Sequence, residues 1–296
     1  MSAGFEQYVI AYLDILGFKK FVMDAETDSE KFDKLRNLFD KIIPRLVSEN
    51  ETNKSIPEKI NLKCLSCSDG IVISAPVDHQ YSANYPSFIA VSIKSIQISH
   101  AILDMGMLVR GAIAVGGLYR TDSNIVGTGY QEAVKGEKDA IYPQIILTKS
   151  AEDCLNNFVE NGGDKVKFFA KNELEKVILN SIFPHPTYWR DTNGEDLVSN
   201  PEIRQRENKL RYQEYRETIL GNMSHPDPKA RAKWIWFAKL FDSNVKNSPD
   251  LSESCICYLK DDTPRITLDF LNSQHKYTFG KSRSLFRCLI NMILRR

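Results

Sequence analysis

Two aspartates stand where a carboxylate can do chemistry. Asp14 follows the apolar, β-branched run 8–13, which predicts a buried strand, and precedes Ile15, Leu16, Gly17 and Phe18. The glycine permits a sharp turn into a helix starting at Phe18, so backbone N–H groups would lie beside the carboxylate, an arrangement that suits a metal-bound phosphate. The same carboxylate serves equally well as the cap of that helix. Asp69 lies in Ser68-Asp69-Gly70, between the β-rich runs 60–67 and 71–75, and two such runs joined at Asp-Gly predict a hairpin. Asp-Gly also makes a good turn for its own sake. If the hairpin pairs beside the first strand, Asp14 and Asp69 converge at one end of a sheet.

The elements that must hold these residues follow from periodicity. Helical spacing predicts helices over 18–25 and 29–49, and a long one over 86–105 with Phe88, Val91, Ile93, Ile96, Ile98 and Ile102 on its apolar side. His100, without a partner at metal-ligand spacing, is expected at the edge of the core or on the surface. A strand over 107–115 ends at Gly116-Gly117; a short strand and turn over 124–129 lead into a helix over 130–135, and strand character resumes over 140–147. Gln131 and Lys135 are one helical turn apart and point the same way. The order strand, helices, hairpin, helix, strand predicts an α+β fold, a mostly antiparallel sheet with helices on one face.

After Thr148 the pattern becomes mainly helical. Helices are expected over 151–160, 173–180, 201–220 and 227–244, the last with an apolar stripe of Trp234, Phe237, Leu240 and Phe241. Short strands are expected over 166–170, 255–260 and 265–270, a rigid loop over 184–190, and a docked basic helix over 281–296. The expected division is a core over 1–148 and a C-terminal extension of unread role over 149–296.

Composition narrows the partners. With 39 basic and 38 acidic side chains in 296 residues, the chain has no global electrostatic footprint for nucleic acid or an anionic membrane, so an anionic ligand must be small and locally held. There is no basic leader with an apolar core and no apolar run long enough to span a bilayer, and the six cysteines fit a reducing compartment; a cytoplasmic location without stable membrane insertion is expected. Cys64-x-x-Cys67 with Cys255-x-Cys257 offers four thiols for zinc, but the second spacing is poor, and packing thiols are the plainer reading.

Taken in order, four stretches resemble the catalytic core of class III nucleotidyl cyclases, a ferredoxin-like fold. They are Asp14-Ile15-Leu16-Gly17-Phe18, Ser68-Asp69-Gly70, Arg110-Gly111-Ala112-Ile113, and Gly127 to Lys135. The resemblance implies that Asp14, Asp69 and the Ile15 carbonyl bind two Mg2+ or Mn2+ ions, and that the backbone of Leu16, Gly17 and Phe18 cradles the β- and γ-phosphates of a nucleoside triphosphate. It implies a head-to-tail homodimer with active sites at the interface. Gln131 and Lys135 then occupy the positions of the family's asparagine and arginine, departures that leave a point charge in place of a bidentate fork; Arg110 or Arg120 is a candidate further cation. Leu65 and Asn124 stand where adenylyl cyclases of the family carry a lysine and an aspartate that read adenine, which disfavours ATP.

The wording of the first two motifs is most similar to the cyclases of Pycsar anti-phage systems. That similarity implies cyclic UMP or cyclic CMP made from UTP or CTP as a second messenger and read by a separate effector. Two other readings remain at the level of sequence. One is a catalytically weak or inactive cyclase-fold module that binds nucleotide for regulation; the other is a different two-metal phosphoryl-transfer enzyme on a related sheet.

Overall fold

The computed structural model describes residues 4–46, 60–77, 87–160, 168–172, 174–184, 201–248, 251, 253–257 and 269–270. Two compact units emerge, one formed by Met1–Lys165 with Lys176–Ser181, the other by Val166–Glu175 with Ile182–Arg296.

The first unit is built on β1 (Glu6–Leu16). It turns at Gly17 into α1 (Phe18–Ala25), and α2 (Ser29–Asn37) follows, capped by Asp28, whose side chain accepts from the backbone N–H groups of Glu30 and Lys31. The helix expected over 29–49 runs on from α2 through a π-helical turn at Leu38–Ile42. Next come β2 (Lys63–Cys67), β3 (Gly70–Pro76), α3 (Ser87–Asp104), β4 (Leu108–Arg120), β5 (Ile125–Val126), α4 (Thr128–Asp139), β6 (Ile145–Leu147) and α5 (Lys149–Glu160). Of the two short strands that follow, β7 (Phe169–Lys171) belongs to the second unit and β8 (Val177–Leu179) returns to the first. The sheet order in the first unit is β2-β3-β1-β4-β6-β8, with β5 paired to β4. All of these pairings are antiparallel except β4 with β6. The α+β architecture with a mostly antiparallel, helix-covered sheet is thus as expected.

Both faces of the sheet are covered, where the sequence predicted helices on one. Side chains alternate along β1. Ile10 faces α4 and joins Val72, Ala114, Leu118 and Ala133 in one buried cluster. Val9, Ala11, Leu13 and Ile15 point the other way and are also buried, and α3, which packs on β1, β3 and β4, is left to cover them. Every residue of α3 from Ser87 to Leu103 is buried, His100 among them, so that histidine lies inside rather than at the edge. A serine-rich helix tolerates burial on all sides because Ser92, Ser95 and Ser99 donate back to the carbonyls of Phe88, Val91 and Ser95, each at 2.8 Å.

Other expectations shift in detail. β1 extends beyond the predicted run 8–13 and contains Asp14, because its ladders with β3 and β4 continue past the apolar stretch. Only 145–147 of the predicted strand 140–147 is extended. The helix predicted over 173–180 is replaced by β8, whose Val177, Ile178 and Leu179 are β-formers that complete the sheet beside β6.

In the second unit α6 (Pro201–Asn222) and α7 (Pro228–Asn247) pack through Tyr212 stacked on Phe241, ring centroids 5.6 Å apart. Asp227 caps α7 ahead of Pro228, and the predicted stripe Trp234, Phe237, Leu240 and Phe241 is buried. A 3-10 turn at Glu253–Cys255 stands where a strand was expected to begin, and β9 (Asp269–Phe270) pairs antiparallel with β7. The predicted loop beyond Pro184 and the terminal helix over 281–296 lie outside the described residues. Among the described residues, no helix is long and apolar enough to cross a membrane.

What fixes α4 on the sheet is a seam of small residues. Gly129, Ala133 and Gly136 recur at helical spacing over Ala112, Ala114 and Gly116, which recur at strand spacing in β4. A Cβ on Gly129 would lie 2.7 Å from Ile10 Cδ1 and 3.0 Å from the Gly116 backbone. Gly129→Ala should therefore cost about 1–3 kcal/mol in denaturant unfolding, as overpacking does; an unchanged midpoint would contradict the close approach. Gly17 poses the complementary case, with φ at +91° and nothing within 4 Å of the place a Cβ would take. Gly17→Ala should lose about 1 kcal/mol from backbone conformation alone, and Gly17→Asn less, because asparagine tolerates this region better.

Candidate active site

The register of β1 builds the site. Asp14 pairs with Gly70 of β3 on one side and Arg110 of β4 on the other. The hairpin turn 67–70 is therefore held beside the end of β1, and the Ile15 N–H donates to the Asp69 carbonyl at 3.0 Å. The two aspartates do converge. Asp14, Asp69 and the turn Ile15, Leu16, Gly17 and Phe18 line one cleft of ≈ 430 Å³, of the size small ligands occupy, with Lys19, Lys20 and Met23 of α1 at its rim.

Beside the two aspartates one arginine is embedded, with Lys19 and Lys20 on the α1 side of the cleft. Arg110 Nη2 lies 3.3 Å from Asp14 Oδ2 and is ion-paired with Glu137 of α4. Burial pushes the Glu137 carboxyl above its ordinary range, and the Asp14 charge pushes the same way against the pull of Arg110. Tyr12 is raised to about 12, first by burial and then by Tyr130, Asp14, Glu137 and Asp69, so its phenol stays protonated at neutral pH and cannot act as a base. Three carboxylates thus bear on one phenol.

The donor set fits a hard divalent cation. Asp14 and Asp69 supply carboxylate oxygens and the Ile15 segment a backbone wall, but among the described residues no group of three or more His, Cys, Asp or Glu forms a metal-binding cluster. Carboxylate and carbonyl oxygens are the hard donors that Mg2+ or Mn2+ take. Burial pushes the Cys64 thiol up to about 12 and also raises Cys257, as for packing thiols.

The remaining residues singled out from sequence stand elsewhere. Gln131 and Lys135 are exposed on α4, on the side turned from the small-residue seam, and neither lines the cleft. Leu65 of β2 packs with Tyr12, Ile125 and Tyr130 against the cluster under α4. Asn124 is exposed, and its backbone N–H donates to Thr121 Oγ1 at 3.0 Å. Arg120 donates to the Lys63 carbonyl at 3.3 Å and to Ser74, away from the cleft.

Sequence reasoning missed Glu137, and a signal was there. Gly129, Ala133, Gly136 and Ala140 form the inward stripe of α4, and Glu137, two turns after Gly129, falls in the same phase. A carboxylate on the buried side of a helix needs a cation opposite it. Tyr12 was likewise passed over as a strand residue.

No protein-family model matches the chain, and no curated protein does. Among solved structures, a class III adenylyl cyclase-like ATP-binding protein from Pseudomonas aeruginosa matches at 13% identity over 50% of this chain and 34% of that one, with a TM-score of 0.33. A bacterial light-regulated adenylyl cyclase matches at 12% identity over 70% and 58%, TM-score 0.38. The catalytic core of a rhodopsin-guanylyl cyclase with converted specificity, in complex with ATPαS, matches at 12% identity over 59% and 96%, TM-score 0.34. The chain spans about a third of the first of these structures and under two thirds of the second. Likeness at this level carries no argument about chemistry, which rests on the residues themselves.

Proposed function

We propose that this protein is a metal-dependent nucleotide cyclase that converts UTP or CTP to the 3′,5′-cyclic monophosphate and pyrophosphate, working as a homodimer. The observation that carries the reading is the meeting of Asp14 and Asp69 in one cleft beside the glycine turn into α1. In the proposed reaction the ribose 3′-hydroxyl loses its proton, the O3′–Pα bond forms, and the Pα–O bond to the β-phosphate breaks in line. Two Mg2+ or Mn2+ ions bound by Asp14, Asp69 and the Ile15 carbonyl would supply Lewis acidity at the attacking and leaving oxygens. The Leu16, Gly17 and Phe18 backbone, at the start of α1, binds the β- and γ-phosphates and holds the leaving group in line.

The positive end of the machinery is Lys135, with Gln131 one turn before it, on an exposed helical face outside the cleft. The resemblance implies a head-to-tail homodimer, in which a residue so placed would serve the cleft of the second copy. Lys135 then offsets charge developing on the transferred phosphate and Gln131 orients the ribose or phosphate as a neutral donor. Leu65 and Asn124, adjoining the Tyr12–Tyr130 patch, replace the polar pair that reads adenine in the resembled family and favour a smaller base. The product is a second messenger of anti-phage defence, read by a separate effector. These steps rest on the resemblance as well as on the cleft.

Release of pyrophosphate from each of the four nucleoside triphosphates with Mn2+, with the product identified by mass, tests the whole. UTP or CTP giving a cyclic product is expected; a linear product would indicate a different phosphoryl transfer, and no product from a dimeric sample would leave a nucleotide-binding module. Asp14→Ala and Asp69→Ala should each reduce turnover to background without dissociating the dimer. Lys135→Ala should lower kcat about a hundredfold with a smaller change in KM. A change in KM alone would reassign Lys135 to ground-state binding.

A further inference from the structure

Glu137 is a carboxylate only 4% exposed, next to Gly136, where a Cβ would lie 2.7 Å from Ala112 Cβ of β4. Its partner is Arg110, and the same nitrogen, Nη2, that pairs with Glu137 also stands 3.3 Å from Asp14 Oδ2. One guanidinium nitrogen is therefore shared between a buried carboxylate and a residue read above as a metal ligand.

An arginine on a metal ligand has two opposed effects. It fixes the carboxylate, but its charge repels a divalent cation that approaches the same group. A second carboxylate on that guanidinium cancels the repulsion while keeping the fixed geometry. We infer that Glu137 is a positioning residue that acts through Arg110, neutralising its charge so that Asp14 is held in place and still binds a divalent cation. This rests on the reading of Asp14 and Asp69 as the cation site. A buried acid–base pair kept only for packing would have no such link to metal affinity.

Charge counting gives the order of the variants. Asp14, Asp69, Arg110 and Glu137 together carry a formal charge of about −2, Glu137→Gln changes it to about −1, Arg110→Gln to about −3, and the double variant restores it. The measurement is Mn2+ binding, read from the loss of the free-ion electron paramagnetic resonance signal on the full chain without nucleotide, with thermal unfolding of each variant alongside. E137Q should bind Mn2+ about tenfold more weakly, as outer-shell partners of metal ligands typically do when altered. R110Q should bind at least as tightly as wild type while losing turnover, because Asp14 is no longer fixed. The double variant should recover to within about threefold of wild type.

Mn2+ bound equally by wild type and E137Q would overturn the inference and leave the cation site standing. Wild type that takes up no Mn2+ either alone or with a non-hydrolysable nucleoside triphosphate analogue, or Asp14→Ala that binds it unchanged, would overturn both. If E137Q fails to fold, R110Q decides: weakened binding in a folded R110Q contradicts the charge argument.

Discussion

Asp14 stands opposite Gly70 on one side and Arg110 on the other, and the arrangement of the cleft depends on those two pairings. Because strand side chains alternate with a period of two, a slip of one residue in either ladder would turn Asp14 into the face packed by α3 and turn Ile15 toward α4. The apolar load prevents that slip. Val9, Ala11, Leu13 and Ile15 on one face and Ile10 on the other are all buried, so any misregister exchanges buried apolar groups for half-exposed polar ones. The position of a carboxylate is thus fixed by hydrophobic burial along the rest of its strand.

The second constraint is the seam between α4 and β4. Large side chains at Ala112, Ala114 or Gly116 would hold the helix at an ordinary helix–sheet spacing, and Glu137 would stand away from Arg110. The small residues bring backbone close to backbone, and the helical phase then leaves Glu137 over the guanidinium while Gln131 and Lys135 face outward. One helix therefore presents two sides: the inner one holds Glu137 on Arg110, and the outer one carries Gln131 and Lys135 outside the cleft.

Much of this is legible in the sequence, and the limits have physical causes. The strand–aspartate–glycine–helix turn and the hairpin are local signals: α1 has the predicted bounds, while β1 runs on past Asp14 and the hairpin turns at Ser68-Asp69, with Gly70 already in β3. Their convergence is a long-range pairing that no window of sequence encodes, so it is conditional until β3 is seen beside β1. The strand at Val177–Leu179 reads as a helix because a three-residue strand has no period to detect, and its partner β6 decides its conformation. Burial of His100 escapes the sequence because the serines of α3 look polar there; their hydroxyls are satisfied within the helix, which removes the cost that normally keeps such a face in water. Glu137 is hidden as long as α4 is treated as a surface helix with two functional positions, although its small-residue stripe already marks a buried side.

The cleft also separates what binds phosphate from what reads a base. Its walls are carboxylates, a backbone turn and α1, with Lys20 at the rim; the Lys20 side chain is 74% exposed and 3.3 Å from Asp24, which Lys31 also holds at 2.8 Å. An ion pair that exposed is weak, so exchanging Asp24 for a phosphate costs Lys20 little. None of these groups distinguishes one base from another. The apolar surface of Tyr12, Leu65, Ile125 and Tyr130 belongs to the same side of the sheet as Asp14, since Tyr12 and Asp14 are two residues apart in β1, and the Tyr12 hydroxyl lies against Gly70 at the foot of the hairpin. Tyr12, Leu65, Ile125 and Tyr130 pack against the buried cluster of Ile10, Val72, Ala114, Leu118 and Ala133 and do not line the cleft. On the proposed reading, the groups that read the base therefore lie outside the metal cleft, and conversion of one nucleotide preference into another would leave Asp14, Asp69 and the Gly17 turn unchanged.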